Sequence, residues 1–128
     1  MAEQYSLLAV DDNEMDRNLL TKRLERQGYR VTVAVDGQQA LDVLREDEFS
    51  LVLLDIMLPN INGYQVLEQM KADQSLSQIP VIMLTALDAA DGKAKCMELG
   101  AEDYLTKPFN PVALKSRISD CLERHYRV

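Results

Sequence analysis

Short apolar runs recur five times along the 128-residue chain: YSLLAV (5–10), RVTVAV (30–35), SLVLLD (50–55), PVIMLT (80–85) and DYLT (103–106). Runs of this length read as strands, and the near-continuous ones read as strands buried on both faces. Each of the first four is followed by a helical pattern. Residues 13–27 carry Met15, Leu19, Leu20 and Leu24, read as one apolar side, and end at Gly28. Asp36 precedes Ala40, Leu41, Val43 and Leu44 with Gln39 three positions on, which resembles a capping box, and Asn62 and Gln65 stand in the same relation before Val66, Leu67 and Met70. Residues 88–99 predict a weaker helix, interrupted by Gly92 and stopped by Gly100. Asn110 and Pro111 start the last helix, whose stripe is Leu114, Ile118, Cys121 and Leu122.

Five strands alternating with five helices predict an α/β domain: a doubly wound (βα)5 unit with one parallel five-stranded sheet between two helical layers. The common order for such a sheet is 2-1-3-4-5, with its switch point between strands 1 and 3. That order belongs to the architecture as a class and is not dictated by these residues. The length fits one domain spanning residues 1–128, with a core from about 5 to 125.

In open parallel sheets ligands bind beyond the carboxyl ends of the strands. Strand 1 delivers Asp11 and Asp12 there, strand 3 Asp55, strand 4 Thr85 and Ala86, and strand 5 Thr106, Lys107 and Pro108. Strand 2 ends in Asp36 and Gly37, outside the switch point. Three carboxylates crowded at one crevice repel, at about several kcal/mol per close pair for an effective dielectric near 20. A divalent cation offsets that repulsion, and an all-oxygen donor set suits Mg²⁺, with Mn²⁺ as a substitute. Lys107 and Thr85 are a cation and a hydroxyl suited to phosphoryl oxygens. A carboxylate beside Mg²⁺ can attack phosphorus and form an acyl phosphate. Histidine acid–base chemistry does not fit, because His125 is the one histidine and lies near the carboxyl terminus.

The formal net charge of −7 argues against direct binding of duplex DNA or an anionic membrane surface by this domain. No apolar run reaches the length of a membrane span, and no signal peptide opens the sequence. Cys96 and Cys121 lack metal-type spacing and read as reduced thiols of a cytoplasmic protein.

The segments VDD at 10–12, LLDIMLPNINGYQVL at 53–67, VIMLTA at 81–86 and GAEDYLTKPF at 100–109 resemble, in this order and at these spacings, the receiver domains of two-component response regulators. The resemblance covers essentially the whole chain. It implies the flavodoxin-like fold and a phosphorylation-dependent switch in a phosphorelay. Asp55 would be the phosphoacceptor. Asp11, Asp12, Asp55 and the backbone carbonyl of Met57 would bind Mg²⁺. Lys107 would pair with the phosphoryl group, and the Lys107–Pro108 bond would be cis. Thr85 would move to the phosphoryl oxygen and Tyr104 would turn inward behind it.

The implied donor is a sensor histidine kinase or a phosphotransfer protein. The implied response is a change in the helix 4, strand 5 and helix 5 face, controlling a homodimer or an output partner. Asn62 departs from the acid many receivers carry before Gly63, and Asn still caps a helix. Met57 and Leu87 flank the site at positions that tune phosphoryl lifetime in this family. The resemblance implies a phosphoacceptor and not an enzyme beyond self-catalysed transfer and slow autodephosphorylation.

Three other readings fit less well. A phosphatase of the haloacid dehalogenase type needs D-x-D after strand 1, where this chain has Asp11, Asp12 and Asn13. A flavin or nucleotide binder needs a glycine-bearing phosphate loop where DDNEMD stands. An unphosphorylated interaction module has no need of the intact acid, hydroxyl and lysine set. The last helix has no stop signal through LERHYRV, so it either ends a stand-alone unit or leads into a longer chain. This tail is similar to receivers that precede a cyclase, a phosphatase or another signalling output.

Overall fold

The computed structural model describes residues 4–85, 90–107 and 109–126. Five strands, β1 (Ser6–Val10), β2 (Arg30–Ala34), β3 (Leu51–Asp55), β4 (Val81–Thr85) and β5 (Asp103–Thr106), form one parallel sheet in the order β2-β1-β3-β4-β5. Between and after them run α1 (Glu14–Arg26), α2 (Gly37–Glu46), α3 (Gly63–Ala72), α4 (Ala90–Glu98) and α5 (Pro111–Tyr126). The flavodoxin-like (βα)5 architecture read from the strand and helix pattern is the one observed. The expected Asp88 start of α4 lies outside the described residues, and Gly92 sits inside the helix without ending it.

Side chains of β3 and β4 are buried throughout, as their unbroken apolarity requires. Alternate residues enter different cores. Leu7, Ala9, Leu51, Leu53, Ile82 and Leu84 pack with Leu20 and Leu24 of α1 and the α5 stripe. Leu8, Val10, Val52, Leu54, Val81 and Met83 pack with α2, α3 and Cys96 of α4. All four predicted α5 stripe residues are buried.

Several local expectations change. Leu20 and Leu24 are buried, but Met15 is 82% and Leu19 49% exposed. Nine positions at 100° each put Met15 about 180° from Leu24, so one helix face cannot hold all four. The Asn62–Gln65 capping box is complete in both directions. At α2, Asp36 accepts from the Gln39 N–H, but Gln39 Oε1 accepts from the Val35 N–H at 2.7 Å rather than from Asp36. The reciprocal bond therefore ties the helix to the end of β2 rather than to its own cap. Gly28 and Gly100 end α1 and α4 with φ of 94° and 101°, the left-handed region glycine enters without a Cβ clash.

α5 is tied down near its middle and at its far end. Arg117 donates to both carboxylate oxygens of Asp103, and the Tyr126 hydroxyl donates to the Ser50 carbonyl at 2.7 Å. Among the described residues no helix is long and apolar enough to cross a membrane.

Candidate functional site: an acid crevice closed by a lysine

The sheet ladder continues one residue past β1 and β5. The Asp11 N–H donates to the Ala34 carbonyl at 3.2 Å, and the Lys107 N–H donates to the Thr85 carbonyl at 2.7 Å. These bonds fix where both side chains leave the sheet. Asp11 and Asp55 share the parity of Leu7, Ala9, Leu51 and Leu53, so both carboxylates stand on the α1/α5 side. Lys107 reaches them from β5, donating to Asp11 Oδ2 at 2.7 Å and Asp55 Oδ2 at 2.8 Å.

The other carboxylate oxygens are held by backbone donors. Asp11 Oδ1 accepts from the Asn13 N–H at 2.9 Å, and Asp55 Oδ1 accepts from the Met57 N–H at 3.0 Å. Asp11 and Asp55 are buried, while Asp12 is exposed at the rim. Oxygens of Asp11, Asp12 and Asp55 lie within 4.8 Å of one another. Three carboxylates face one lysine there, an excess of negative charge that suits a hard divalent cation. The donor set thus fits Mg²⁺: Asp11, Asp12 and Asp55 would hold it, and two of the three are pre-oriented by backbone N–H groups.

Electrostatics follow burial. Asp55 is held above the ordinary carboxylate value, first by desolvation and further by the charge of Asp11, against the opposing pull of Lys107 and the Met57 N–H. Burial works against the Lys107 charge, but its hydrogen bonds to Asp11 and Asp55 and their charges outweigh it, so its pKa stays above the ordinary lysine value. Lys107 therefore remains a cation at neutral pH.

Thr85 is fully buried at the end of β4, in register with Thr106. Its parity is that of Val81 and Met83, so its side chain leaves toward the α2–α4 layer. Tyr104 is half-buried on β5 and packs against the same layer. Its hydroxyl, with that of Tyr64, stands 3.6 Å from the point where a Cβ on Gly92 would lie. Met57 is 58% exposed and lines a shallow depression beside Asp12, with Pro59, Asn62 and Tyr64. Pro108, with the expected cis bond, and Leu87 lie outside the described residues.

Three contributors were not read from the sequence. Asp16, in the first turn of α1, places Oδ2 3.2 Å from Lys107 Nζ. Arg17 Nη1 donates to the Asp11 carbonyl at 2.9 Å and pins α1 to the end of β1. Gly63, at the start of α3, lies so close to Asp55 that a Cβ would fall 2.3 Å from the Asp55 carbonyl oxygen. The sequence signal for Asp16 was present, since DDNEMD holds a further acid on the first helical turn.

Glu102, Cys121 and His125 form a second group of metal-type ligands. His125 Nε2 and Glu102 Oε1 already meet at 2.9 Å. Burial pushes the Cys121 thiol up to about 11, so it stays protonated at neutral pH and is poorly suited to a metal.

A family profile described as response regulator receiver domain matches residues 7–119. The chain is 41% identical over 121 residues to "Probable transcriptional regulator ycf27" of Cyanidium caldarium, covering 94% of this chain and 47% of that protein. It is 42% identical over 118 residues to "Alkaline phosphatase synthesis transcriptional regulatory protein PhoP" of Bacillus subtilis, covering 92% and 48%. The chain thus spans about half the length of the curated relatives it matches. Among solved structures, the CheY-like response regulator receiver domain protein of Methanospirillum hungatei superposes with a TM-score of 0.89 at 28% identity, covering 96% of this chain and 97% of that one. With the predicted fold present and the acid crevice at its expected edge, the chain belongs to the response regulator receiver domain family.

Proposed function

We propose that this receiver accepts a phosphoryl group on Asp55 from the phosphohistidine of a sensor histidine kinase or phosphotransfer protein. The carrying observation is Lys107 Nζ seated between Asp11 and Asp55 while the Met57 N–H fixes the other Asp55 oxygen. That arrangement holds a nucleophile in one orientation, with a cation beside the place where charge will arrive. Asp11, Asp12, Asp55 and the Met57 carbonyl would hold Mg²⁺, or Mn²⁺ in its place. The bound ion supplies neutralisation of the acids and of the phosphoryl oxygens.

The remaining steps belong to the protein. An Asp55 carboxylate oxygen attacks phosphorus, the P–N bond to the donor histidine breaks, the imidazole leaves with the electron pair, and Lys107 turns to a phosphoryl oxygen. Phosphorylation adds up to about two negative charges, which draws the Thr85 hydroxyl to the group. Tyr104, whose ring shares the α2–α4 layer with Thr85, then turns inward. The face of α4, β5 and α5 responds, biasing a homodimer or an output partner between two populations. The named transcriptional role of relatives supports an attached or separate regulatory output, read in the cytoplasm. Hydrolysis of the acyl phosphate by water returns Asp55 slowly to its free carboxylate.

The test is incubation with acetyl phosphate and Mg²⁺ followed by intact mass spectrometry. One phosphoryl group should add to the wild type, none to Asp55→Asn, and none after chelation of the metal. Equal labelling of Asp55→Asn would remove Asp55 from its role.

A further inference from the structure

A lysine ammonium has three N–H donors. Lys107 directs its donors at three carboxylates: Asp11 at 2.7 Å, Asp55 at 2.8 Å and Asp16 at 3.2 Å. Its donor capacity is therefore full, and a phosphoryl oxygen can bond to it only by displacing one acceptor. The three acceptors are not equivalent. Asp11 and Asp55 side chains are 0% and 5% exposed, so in the resting chain, before metal or phosphoryl group arrives, releasing either would strand a buried charge. Asp16 makes the longest bond and is 43% exposed, so water can solvate it when it lets go.

We propose that Asp16 is a positioning residue for phosphoryl transfer: a releasable counter-ion that occupies Lys107 in the resting state and slows arrival of the phosphoryl group at Asp55. The inference rests on the phosphoacceptor reading above. Asp16 is held in place by the start of its helix, where its N–H donates to Asn13 Oδ1 at 2.9 Å and Arg17 anchors the same turn to Asp11. The 2.8 and 3.2 Å contacts on one nitrogen put the Asp16 oxygen within about 6 Å of the Asp55 oxygen. At that range, in a water-like dielectric, one negative charge slows approach of each unit of donor charge about threefold. A donor carrying one to two charges should therefore gain about threefold to tenfold when Asp16 is neutralised.

The reaction that reads this is transfer from acetyl phosphate. Asp55 Oδ attacks phosphorus, a new O–P bond forms, the P–O bond to acetate breaks, and acetate leaves with the electron pair. Intact mass spectrometry follows the labelling rate of wild type, Asp16→Asn, Asp16→Glu and Asp55→Asn in Mg²⁺ buffer at low and high salt. Asp16→Asn should label about three- to tenfold faster at low salt, with the gap closing as salt screens the charge. Asp16→Glu, which keeps the charge, should bring the rate back toward wild type.

A purely structural role in the first turn of α1 would lower the melting temperature of Asp16→Asn without speeding labelling. A rate for Asp16→Asn equal to or below wild type, with Asp55→Asn blank, overturns this proposal alone. An unlabelled wild type, or a labelled Asp55→Asn, overturns the phosphoacceptor reading and this inference with it.

Discussion

Gly63→Ala tests whether the start of α3 is the template that positions Asp55. A Cβ at Gly63 would lie 2.3 Å from the Asp55 carbonyl oxygen, 2.7 Å from Ile56 Cα and 3.0 Å from the Asp55 carbonyl carbon. All three atoms are main chain at the end of a central strand, so none can rotate away. Relief requires α3 to back off, which strains the 2.9 Å bond from the Gly63 N–H to the Ile56 carbonyl. It also disturbs the capping box between Asn62 and Gln65.

Overpacking costs about 1–3 kcal/mol, and a lost hydrogen bond about 1 kcal/mol more, so the expected loss is about 2–4 kcal/mol. For a domain of this size that is a fall in Tm of about 7–15 °C. Gly28→Ala is the internal control: no atom lies within 4 Å of its Cβ position, so only the left-handed backbone at φ 94° resists it, at about 1–2 kcal/mol. The assays are urea melts and the rate of acetyl phosphate labelling, both below the melting range of the variant. Gly63→Ala should be less stable than Gly28→Ala and label more slowly than wild type. A Gly63→Ala protein with wild-type Cm and wild-type labelling would refute the view that α3 sets the position of the nucleophile.

Other outcomes are expected. Because burial raises Asp55, the folded chain keeps that proton to higher pH than the unfolded chain. Its contribution to stability is therefore largest below the ordinary 3.8 and is lost as pH rises through the raised folded value. Urea melts across that window should show Asp55→Asn gaining on wild type as pH rises, and a carboxyl NMR titration without added metal should place the Asp55 midpoint above 3.8. Asn62→Ala removes an N-cap and should cost about 1 kcal/mol by denaturant melts, with labelling of Asp55 retained. Tyr126→Phe removes the 2.7 Å bond to the Ser50 carbonyl and should cost about 1 kcal/mol in the same assay, leaving labelling unchanged.

The sheet and the placement of Asp11, Asp55 and Lys107 were legible because they follow from short-range rules. Apolar continuity marks the strands, and ligand-bearing residues follow the strand ends. Even the parity that sets Asp11 and Asp55 on the same face can be counted along β1 and β3. What was not legible depends on how helices enter. Met15 and Leu19 look like core residues in a composition count, but the narrow contact of α1 with the sheet accepts only Leu20 and Leu24. Asp16 meets Lys107 because Arg17 pins the first turn of α1 to Asp11, a contact between an arginine and a carbonyl that leaves no sequence pattern. Gln39 reaches Val35 rather than Asp36 because the chain turns out of β2 before the helix starts. Gly63 reads as the start of a helix behind its Asn62 cap, and its close approach to Asp55 depends on the packing distance between α3 and β3.

The alternation of side chains along the strands has a consequence for how a message leaves the crevice. Asp11 and Asp55 open on the α1/α5 side of the sheet, whereas Thr85 and Tyr104 belong to the α2–α4 side. The five strands form a partition between a place of writing and a place of reading. Their apolar, close-packed interior offers no polar route across. Under the proposed function the message must go around the upper rim, where the end of β4 meets Lys107 through the Thr85 carbonyl. Strand length at that rim is then a wiring parameter. One residue added to β4 would turn the next side chain to the opposite face and disconnect the reader.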